Sequence, residues 1–245
     1  MISTKIKNRL SRYKSTRIFY YSILDCLTYS KFKFTKLFKN NLHDSLTLKE
    51  KFDHLIKVLP SHQRKEEFCN FIEFLTKYKP KVIVEIGTAD LGTHLLFSEC
   101  LSWQKTMIAM DLEIRNRKTI SLFNSNQDKR FAISGSSQDK NSIKKLSNIL
   151  GEKKIDLLFI DGDHTYEGVK KDFDNYKSFL SQTSLVAFHD IVPDCYSKTG
   201  FKTNTDVGDV PIFWSEIKNE FKSFEFTESP NQDGCGIGLI CFDEA

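Results

Sequence analysis

The sequence predicts an α/β protein with a mainly parallel sheet of seven strands, covered by helices on both faces. From Lys81 onward, short apolar runs alternate with segments of helical periodicity, as a parallel sheet with helical crossovers requires. The last two apolar runs are separated only by residues 229–234, which are rich in turn-forming residues. Two strands joined so closely predict an antiparallel hairpin at the sheet edge.

The elements follow from hydrophobic periodicity and chain breakers. In the second helix Phe68, Phe71, Ile72 and Leu75 form one stripe, and Pro80 ends the helix because proline cannot continue it. Strands are predicted at 82–86, 106–111, 131–134, 156–161, 184–189, 223–228 and 236–242. Helices are predicted at 46–58, 63–78, 94–101, 115–124, 140–150, 166–180 and 211–221.

The basic charge of the chain is concentrated at its N-terminus. The net charge is +4, yet residues 1–40 carry ten Lys and Arg against Asp25 alone, so the rest of the chain is acidic overall. We therefore divide the chain into a basic, aromatic leader with helical character, 1–45, and an α/β domain, 46–245. The leader suits peripheral contact with an anionic membrane through residues 1–40, packing in a homo-oligomer, or a partly disordered arm.

The amino-acid composition indicates where in the cell the protein is located. The six cysteines are scattered without a CxxC pair, which argues against a zinc site or a disulfide scaffold and fits a reducing compartment. No apolar run approaches the length needed to cross a bilayer, and no secretion signal is apparent. These features predict a cytoplasmic protein. The acidic body also gives no reason to expect a nucleic-acid substrate.

A nucleotide-type cofactor site is predicted beyond the first strands. Gly87 and Gly92 follow the strand 82–86, where the missing Cβ atoms admit a ligand or close helix packing. Such a turn also occurs without any ligand. Asp111, however, ends the next strand at a spacing suited to an acid that binds a ribose diol. Glu85, within an apolar strand, needs a partner, either a ligand ammonium or a protein group.

Together with the 135–139 segment GSSQD, the strings EIGTADLGT, FIDGDHTYEGVKKDF, FHDI and GIGLI resemble class I S-adenosylmethionine-dependent methyltransferases. Within that Rossmann-like fold they resemble the branch of cephalosporin hydroxylase-like and macrocin or mycinamicin sugar O-methyltransferases. The resemblance spans about residues 63–243. It implies S-adenosylmethionine as cofactor and a small-molecule or saccharide acceptor. The cofactor-binding residues it implies are Glu85, Gly87, Ala89, Gly92, Asp111, Ser137, Gln138, Asp139 and Asp161.

The reaction site is expected where two neighbouring strands end in acids. Asp161 and Asp190 lie in FIDG and FHDI, and carboxylates at one sheet edge suit a hard cation such as Mg²⁺. His189 occupies a position where the family usually has an oxygen ligand, so it is predicted either as a third metal ligand or as a general base. His164 is the other candidate base, although a local structural role at the start of a helix explains it equally well.

These features lead to the hypothesis of an S-adenosylmethionine-dependent, Mg²⁺-assisted O-methyltransferase. The alternatives are an NAD-type oxidoreductase and a non-catalytic binding module of the same fold. The absence of a G-x-G-x-x-G string and the terminal hairpin count against the oxidoreductase. The long polar segment 191–209 is a candidate lid or binding loop, in which Tyr196 and Phe201 could stack on an acceptor. Trp214 is expected to pack its helix onto the sheet.

Overall fold

A computed structural model describes residues 26–30, 46–124 and 128–242. Of the predicted helical leader, only residues 26–30 are described, and they form a short helical segment. The other residues of that prediction, and with them the proposed membrane and oligomer contacts, lie outside the described residues. Within the described ranges, no helix has the length and apolar character that a membrane span requires.

The described domain is built on one seven-stranded sheet of order β3-β2-β1-β4-β5-β7-β6. Strands β1 to β5 pair with one another in parallel, and β7 runs antiparallel to both β5 and β6. The predicted sheet and its terminal hairpin are therefore confirmed. The strands are β1 Val82–Ile86, β2 Thr106–Asp111, β3 Lys129–Ser134, β4 Ile155–Ile160, β5 Leu180–His189, β6 Lys222–Phe226 and β7 Ile237–Phe242.

Seven α-helices are described in the domain. Their bounds are α1 Leu48–Leu55, α2 Lys65–Leu75, α3 Gly92–Cys100, α4 Lys140–Leu150, α5 Tyr166–Tyr176, α6 Cys195–Thr199 and α7 Val210–Ile217. The helix predicted at 115–124 is instead a 3₁₀ segment, Arg117–Phe123, entered through Asn116 in the left-handed region. The short α6 was not predicted, because it lies in a polar segment without apolar periodicity and is capped by Asp194.

The sheet separates two apolar layers. Alternate residues of β1 face opposite sides: Ile83 packs with the layer of α1, α2 and α3, whereas Val84 packs with that of α4, α5 and α7. Trp214 is buried, as predicted. Its indole lies where a Cβ on Gly238 would stand, and its Nε1 donates a hydrogen bond to Glu225 Oε1 at 2.7 Å. Because helices cover both faces of the sheet, the ends of its strands remain available for binding a ligand.

Candidate active site

Most of the predicted site residues meet at the carboxyl edge of the five parallel strands. Two cavities of about 420 Å³ and 410 Å³ open there side by side, and their linings share Gly87, Ala89 and Asp161. The first, the cofactor cavity, also includes Asp111 and the loop after β3. The second, the acceptor cavity, also includes His62, His164, His189, Asp190, Asn204, Thr205, Asp206 and Cys235.

The carboxylate of Asp111 is oriented in the cofactor cavity by hydrogen bonds from backbone N–H groups. Its Oδ2 accepts a hydrogen bond from the Ala89 N–H at 2.8 Å, and its Oδ1 accepts one from the Glu113 N–H at 3.1 Å. Each carboxylate oxygen retains acceptor capacity, so the group can still bind hydroxyl donors. This arrangement fits the role of ribose acid that the resemblance implies.

The loop after β3 is fastened to α5. Ser137 Oγ donates to Asp172 Oδ1 at 2.6 Å, and the Tyr176 hydroxyl donates to the Ser137 carbonyl at 2.9 Å. Ser137 and Gln138 line the cofactor cavity, whereas Asp139 precedes α4 as its N-cap residue and is not part of that lining. The packing of α5 thus sets the position of the predicted adenine-side residues.

Asp172 is a fully buried carboxyl group that the sequence did not single out. Its Oδ2 has no hydrogen-bond partner among the residues described. Burial raises the pKa of Asp172 to about 6, with the nearby Asp163 acting in the same direction and the Ser137 hydrogen bond opposing it. The folded protein therefore favours the protonated form, and this contribution to stability is lost as the pH rises through about 6.

Asp172→Asn should consequently stabilise the protein at neutral and higher pH. The pKa shift corresponds to a total of about 3 kcal/mol, roughly half of which is lost between about pH 5 and pH 8. Urea unfolding of both proteins across that range should show the wild type losing stability relative to the variant. Asp174→Asn, at a half-buried position of the same helix where the carboxylate pairs with Lys170 and Lys177, is the control and should not reproduce this trend. Parallel pH curves for wild type and Asp172→Asn would contradict the assignment.

Two glycines allow close backbone approaches around the cofactor cavity. Gly87 has φ +87°, and a Cβ there would stand 1.7 Å from the Asp161 carbonyl oxygen. A Cβ on Gly92 would stand 2.0 Å from the Pro60 carbonyl oxygen. Gly87 lines both cavities, whereas Gly92 is absent from both linings and lets α3 pack closely against the segment before α2.

Glu85 lies beneath the cavities with partners inside the protein. Its Oε2 accepts from Thr88 Oγ1 at 3.0 Å and lies 2.9 Å from His94 Nδ1. Burial raises the pKa of Glu85 above its ordinary value, against the opposing hydrogen bonds from His94 and Thr88. Glu85 is absent from both linings, so the arrangement matches the alternative of a protein partner.

Asp161 lies on the wall that the two cavities share. Gln63 Nε2 donates to its Oδ2 at 3.2 Å, while its Oδ1 lies 3.2 Å from His189 Nδ1 and 3.6 Å from His164 Nε2. Burial by itself would raise the pKa of Asp161, but the charge of His189 and hydrogen bonds from both imidazoles lower it to about 2. The ionised carboxylate is thus the state that this site favours.

His164 is oriented by the segment 200–209. Its Nδ1 donates to the Asp206 carbonyl at 2.9 Å, so Nε2 faces the two acids, 3.5 Å from Asp190 Oδ2. Hydrogen bonding to Asp161 is the main cause that raises the pKa of His164 to about 9, against the effect of burial. The start of α5 is capped by Thr165, with Asp163 accepting from Thr165, so His164 is not needed as a cap.

His189 is almost completely buried between the acids. Its Nδ1 is 3.2 Å from Asp161 Oδ1 and 3.3 Å from Asp190 Oδ1, but neither contact has hydrogen-bond geometry. Burial would lower the pKa of His189, yet the charges of Asp161 and Asp190 outweigh it and raise the pKa well above its ordinary value. In this arrangement the imidazole supplies positive charge between two carboxylates.

The loop between β6 and β7 completes the acceptor cavity. Asp190 and Cys235 have φ values of +64° and +58°, conformations that cost non-glycine residues of order 1 kcal/mol and are common at functional sites. Glu67 on α2 secures this loop, because its carboxylate accepts hydrogen bonds from Gln232 Nε2 and from the Gly236 N–H. The strained turn at Cys235 is therefore held by a buried tertiary contact.

Sequence reasoning missed several residues of this site. His62 lies between the first two predicted helices and Gln63 at the start of the second, whereas His94 and Asp172 lie in helices whose apolar residues drew attention away from them. Of these residues, only His94 carried a signal, because it follows Gly92 closely in the string TADLGTH. Tyr196 and Phe201 are exposed and absent from both linings, whereas residues 204–206 of the same long segment do line the acceptor cavity.

Comparison with known proteins agrees with this fold. The profile of the family described as rhamnosyl O-methyltransferase/CmcI matches residues 49–232. An O-methyltransferase from Bacillus cereus, solved with S-adenosylhomocysteine (SAH), superposes with a TM-score of 0.57 at 16% identity, over 78% of this chain and 90% of that chain. No curated protein sequence matched.

Two further solved structures share the fold. TomG of Streptomyces achromogenes, an O-methyltransferase of tomaymycin synthesis solved with S-adenosylmethionine (SAM), has a TM-score of 0.55 at 13% identity, over 85% of this chain and 95% of that chain. MycE of the mycinamycin pathway, solved with Mg, SAH and mycinamycin VI, has a TM-score of 0.53 at 12% identity, over 80% of this chain and 54% of that chain.

The fold and the paired cavities define a Rossmann-like methyltransferase. The chain belongs to the rhamnosyl O-methyltransferase/CmcI family, and its activity is SAM-dependent O-methylation. The resemblance inferred from the sequence motifs is thereby confirmed, and methyl transfer is preferred over the NAD-type oxidoreductase and the non-catalytic module.

Proposed function

We propose that this enzyme methylates a hydroxyl group of a saccharide, or of a small molecule that carries one, across the wall between its two cavities. The observation that carries this proposal is that Gly87, Ala89 and Asp161 line both cavities. A methyl donor in one cavity and an acceptor in the other would meet at this wall. Holding both reactants in line is the main requirement of a displacement at an already activated methyl group.

We propose which residues of the cofactor cavity bind each part of the donor. We assign Asp111 to the ribose hydroxyls, and Ser137 and Gln138 to the adenine. Gly87 and Ala89 form the wall nearest the sulfonium. Asp161, ionised and on the shared wall, contributes negative charge near the positively charged donor.

His164 is assigned as the general base. In the reaction a bond forms between the acceptor oxygen and the methyl carbon, and the bond from carbon to sulfur breaks with its electron pair remaining on sulfur. The acceptor proton passes to Nε2 of His164, since Nδ1 is already committed to the Asp206 carbonyl. Since the pKa of His164 is raised to about 9, the fraction of neutral imidazole that can accept this proton grows as the pH rises towards that value.

The acceptor cavity has the chemistry of a site for a polyhydroxylated ligand. Asn204, Thr205 and Asp206 add amide, hydroxyl and carboxylate groups to the acids and imidazoles of its lining. Such side chains donate to and accept from sugar hydroxyls. The family description names a rhamnosyl methyltransferase, and MycE was solved with mycinamycin VI, which supports the assignment of a saccharide-type acceptor.

The potential metal ligands at this site suit Mg²⁺ only in part. Asp161 and Asp190 offer the oxygen ligands that Mg²⁺ takes, whereas the nearest further donors are imidazole nitrogens and the thiol of Cys235. We therefore assign no reaction step to Mg²⁺.

The test combines binding and transfer with the full-length protein. Calorimetry should show saturable binding of SAH and none of NAD. With methyl-labelled SAM, label should enter rhamnosides and other deoxysugar glycosides that have a free hydroxyl, and not matched analogues that lack it. Transfer only to amine acceptors, or binding of NAD in place of SAH, would refute the proposal.

A further inference from the structure

We infer that the acidic ends of β4 and β5 bind a divalent transition metal ion in preference to Mg²⁺, with His189 as a nitrogen ligand beside Asp161 and Asp190. The class of ion is that of Mn²⁺, Fe²⁺, Co²⁺ and Zn²⁺, which accept imidazole readily. This inference deepens the proposed function at the same site, and it is tested by metal binding, without turnover.

The spacing of the donor atoms suits a shared ion. His189 Nδ1 lies 3.2 Å from Asp161 Oδ1 and 3.3 Å from Asp190 Oδ1. Ligand atoms at about 2.1 Å from one metal ion, at angles between tetrahedral and octahedral values, are about 3.0–3.4 Å apart. His189 Nδ1 is therefore separated from one oxygen of each acid as two neighbouring ligands of a metal ion are.

His189 has ring nitrogens that are free to bind a metal ion. The residue is 3% exposed, and within the described part of the chain neither ring nitrogen has a hydrogen-bond partner. Buried polar atoms are almost always hydrogen-bonded, so an unsatisfied imidazole that lines a cavity calls for an explanation. A metal ion in the acceptor cavity would satisfy one of the two ring nitrogens.

The surrounding donors also depart from the preference of Mg²⁺. His189, Asp190 and Cys235 each present a ligand atom within 4.8 Å of the others, and so do Asp161, His164 and Asp190. Nitrogen and sulfur donors suit transition metals, whereas Mg²⁺ is held by carboxylates, phosphates and water. An oxygen donor in place of His189 would make an ordinary Mg²⁺ site, so this one residue is expected to decide the preference.

The experiment measures metal affinity on full-length protein that has been treated with chelator and dialysed. Calorimetry should give an affinity for Co²⁺ at least ~100-fold above that for Mg²⁺. The visible ligand-field bands of Co²⁺ should appear with a stoichiometry of one. In His189→Glu, and in the neutral His189→Gln, the ratio of the two affinities should fall below ~10, because the nitrogen donor is replaced by oxygen.

His62→Gln is the matched control, since His62 lines the same cavity outside both donor clusters and its loss should leave the ratio unchanged. Each variant is first checked for SAH binding, which shows that the fold is retained. A wild-type ratio below ~10, no binding of either ion, or an unchanged ratio in folded His189→Gln would overturn the inference. Any of these results together with intact SAH binding would refute the metal assignment alone and leave the proposed methyl transfer standing.

Discussion

The variant His164→Asn is expected to lower the turnover number by about 10²–10⁴-fold, the usual contribution of a general base. The amide nitrogen of Asn can replace Nδ1 as the donor to the Asp206 carbonyl, a hydrogen bond of 2.9 Å in the wild type. Nε2, which faces Asp161 and Asp190, has no counterpart in Asn. The substitution therefore removes the proposed proton acceptor while preserving the contact that orients the loop.

Single-turnover methyl transfer with saturating SAM is the measurement, with SAH affinity as the companion readout. The affinity should change by less than about threefold, because His164 is absent from the lining of the cofactor cavity. Asp174→Asn, outside the linings of both cavities, supplies the control and should retain the wild-type turnover. If His164→Asn kept wild-type turnover, His164 would not be the base.

The variant Asp111→Ala is expected to weaken SAH binding by roughly 10²–10⁴-fold. A carboxylate that accepts from two ribose hydroxyls makes two charge-assisted hydrogen bonds, each contributing about 1.5–3 kcal/mol. The substitution also removes the acceptor for the Ala89 N–H, which the carboxylate now holds at 2.8 Å, so the wall shared by the two cavities loses a support. The loss should appear in cofactor affinity and to a smaller extent in the maximal rate at saturating cofactor.

Calorimetric titration with SAH separates these effects. Asp111→Asn keeps one oxygen acceptor without the charge and should fall between the wild type and Asp111→Ala. Glu113→Gln tests the neighbouring acid, whose side chain is absent from the cavity linings, and should bind as the wild type does. Equal affinities for wild type and Asp111→Ala would place the ribose elsewhere.

The local hydrophobic pattern of the sequence was sufficient to predict much of the fold. The bounds of β1 and β2 were predicted to the residue, because each is a continuous apolar run that ends in a polar turn. The terminal hairpin followed from a short turn-rich segment. By contrast, residues 117–123 form a 3₁₀ segment where an α-helix was predicted, since apolar spacing does not distinguish tight helical turns from α-helical ones.

The strand-end acids show how far the site could be anticipated. Asp111, Asp161 and Asp190 were predictable because parallel strands deliver their carboxyl ends to one edge of the sheet. The other members of the site come from distant segments. Gln63 reaches Asp161 from the segment before α2, Asp206 orients His164 from the long loop after α6, and Cys235 enters from the hairpin turn.

The sequence by itself determined the alternation of strands and helices, the family and the edge at which the site lies, because these are encoded in local periodicity and short motifs. Only the tertiary structure decided that His189 is buried between two acids, that Asp172 underlies the cofactor cavity, and that Glu85 pairs with His94. The reason is physical: burial and charge neighbours depend on segments brought together by packing, and they determine the protonation state and the ligands of each group.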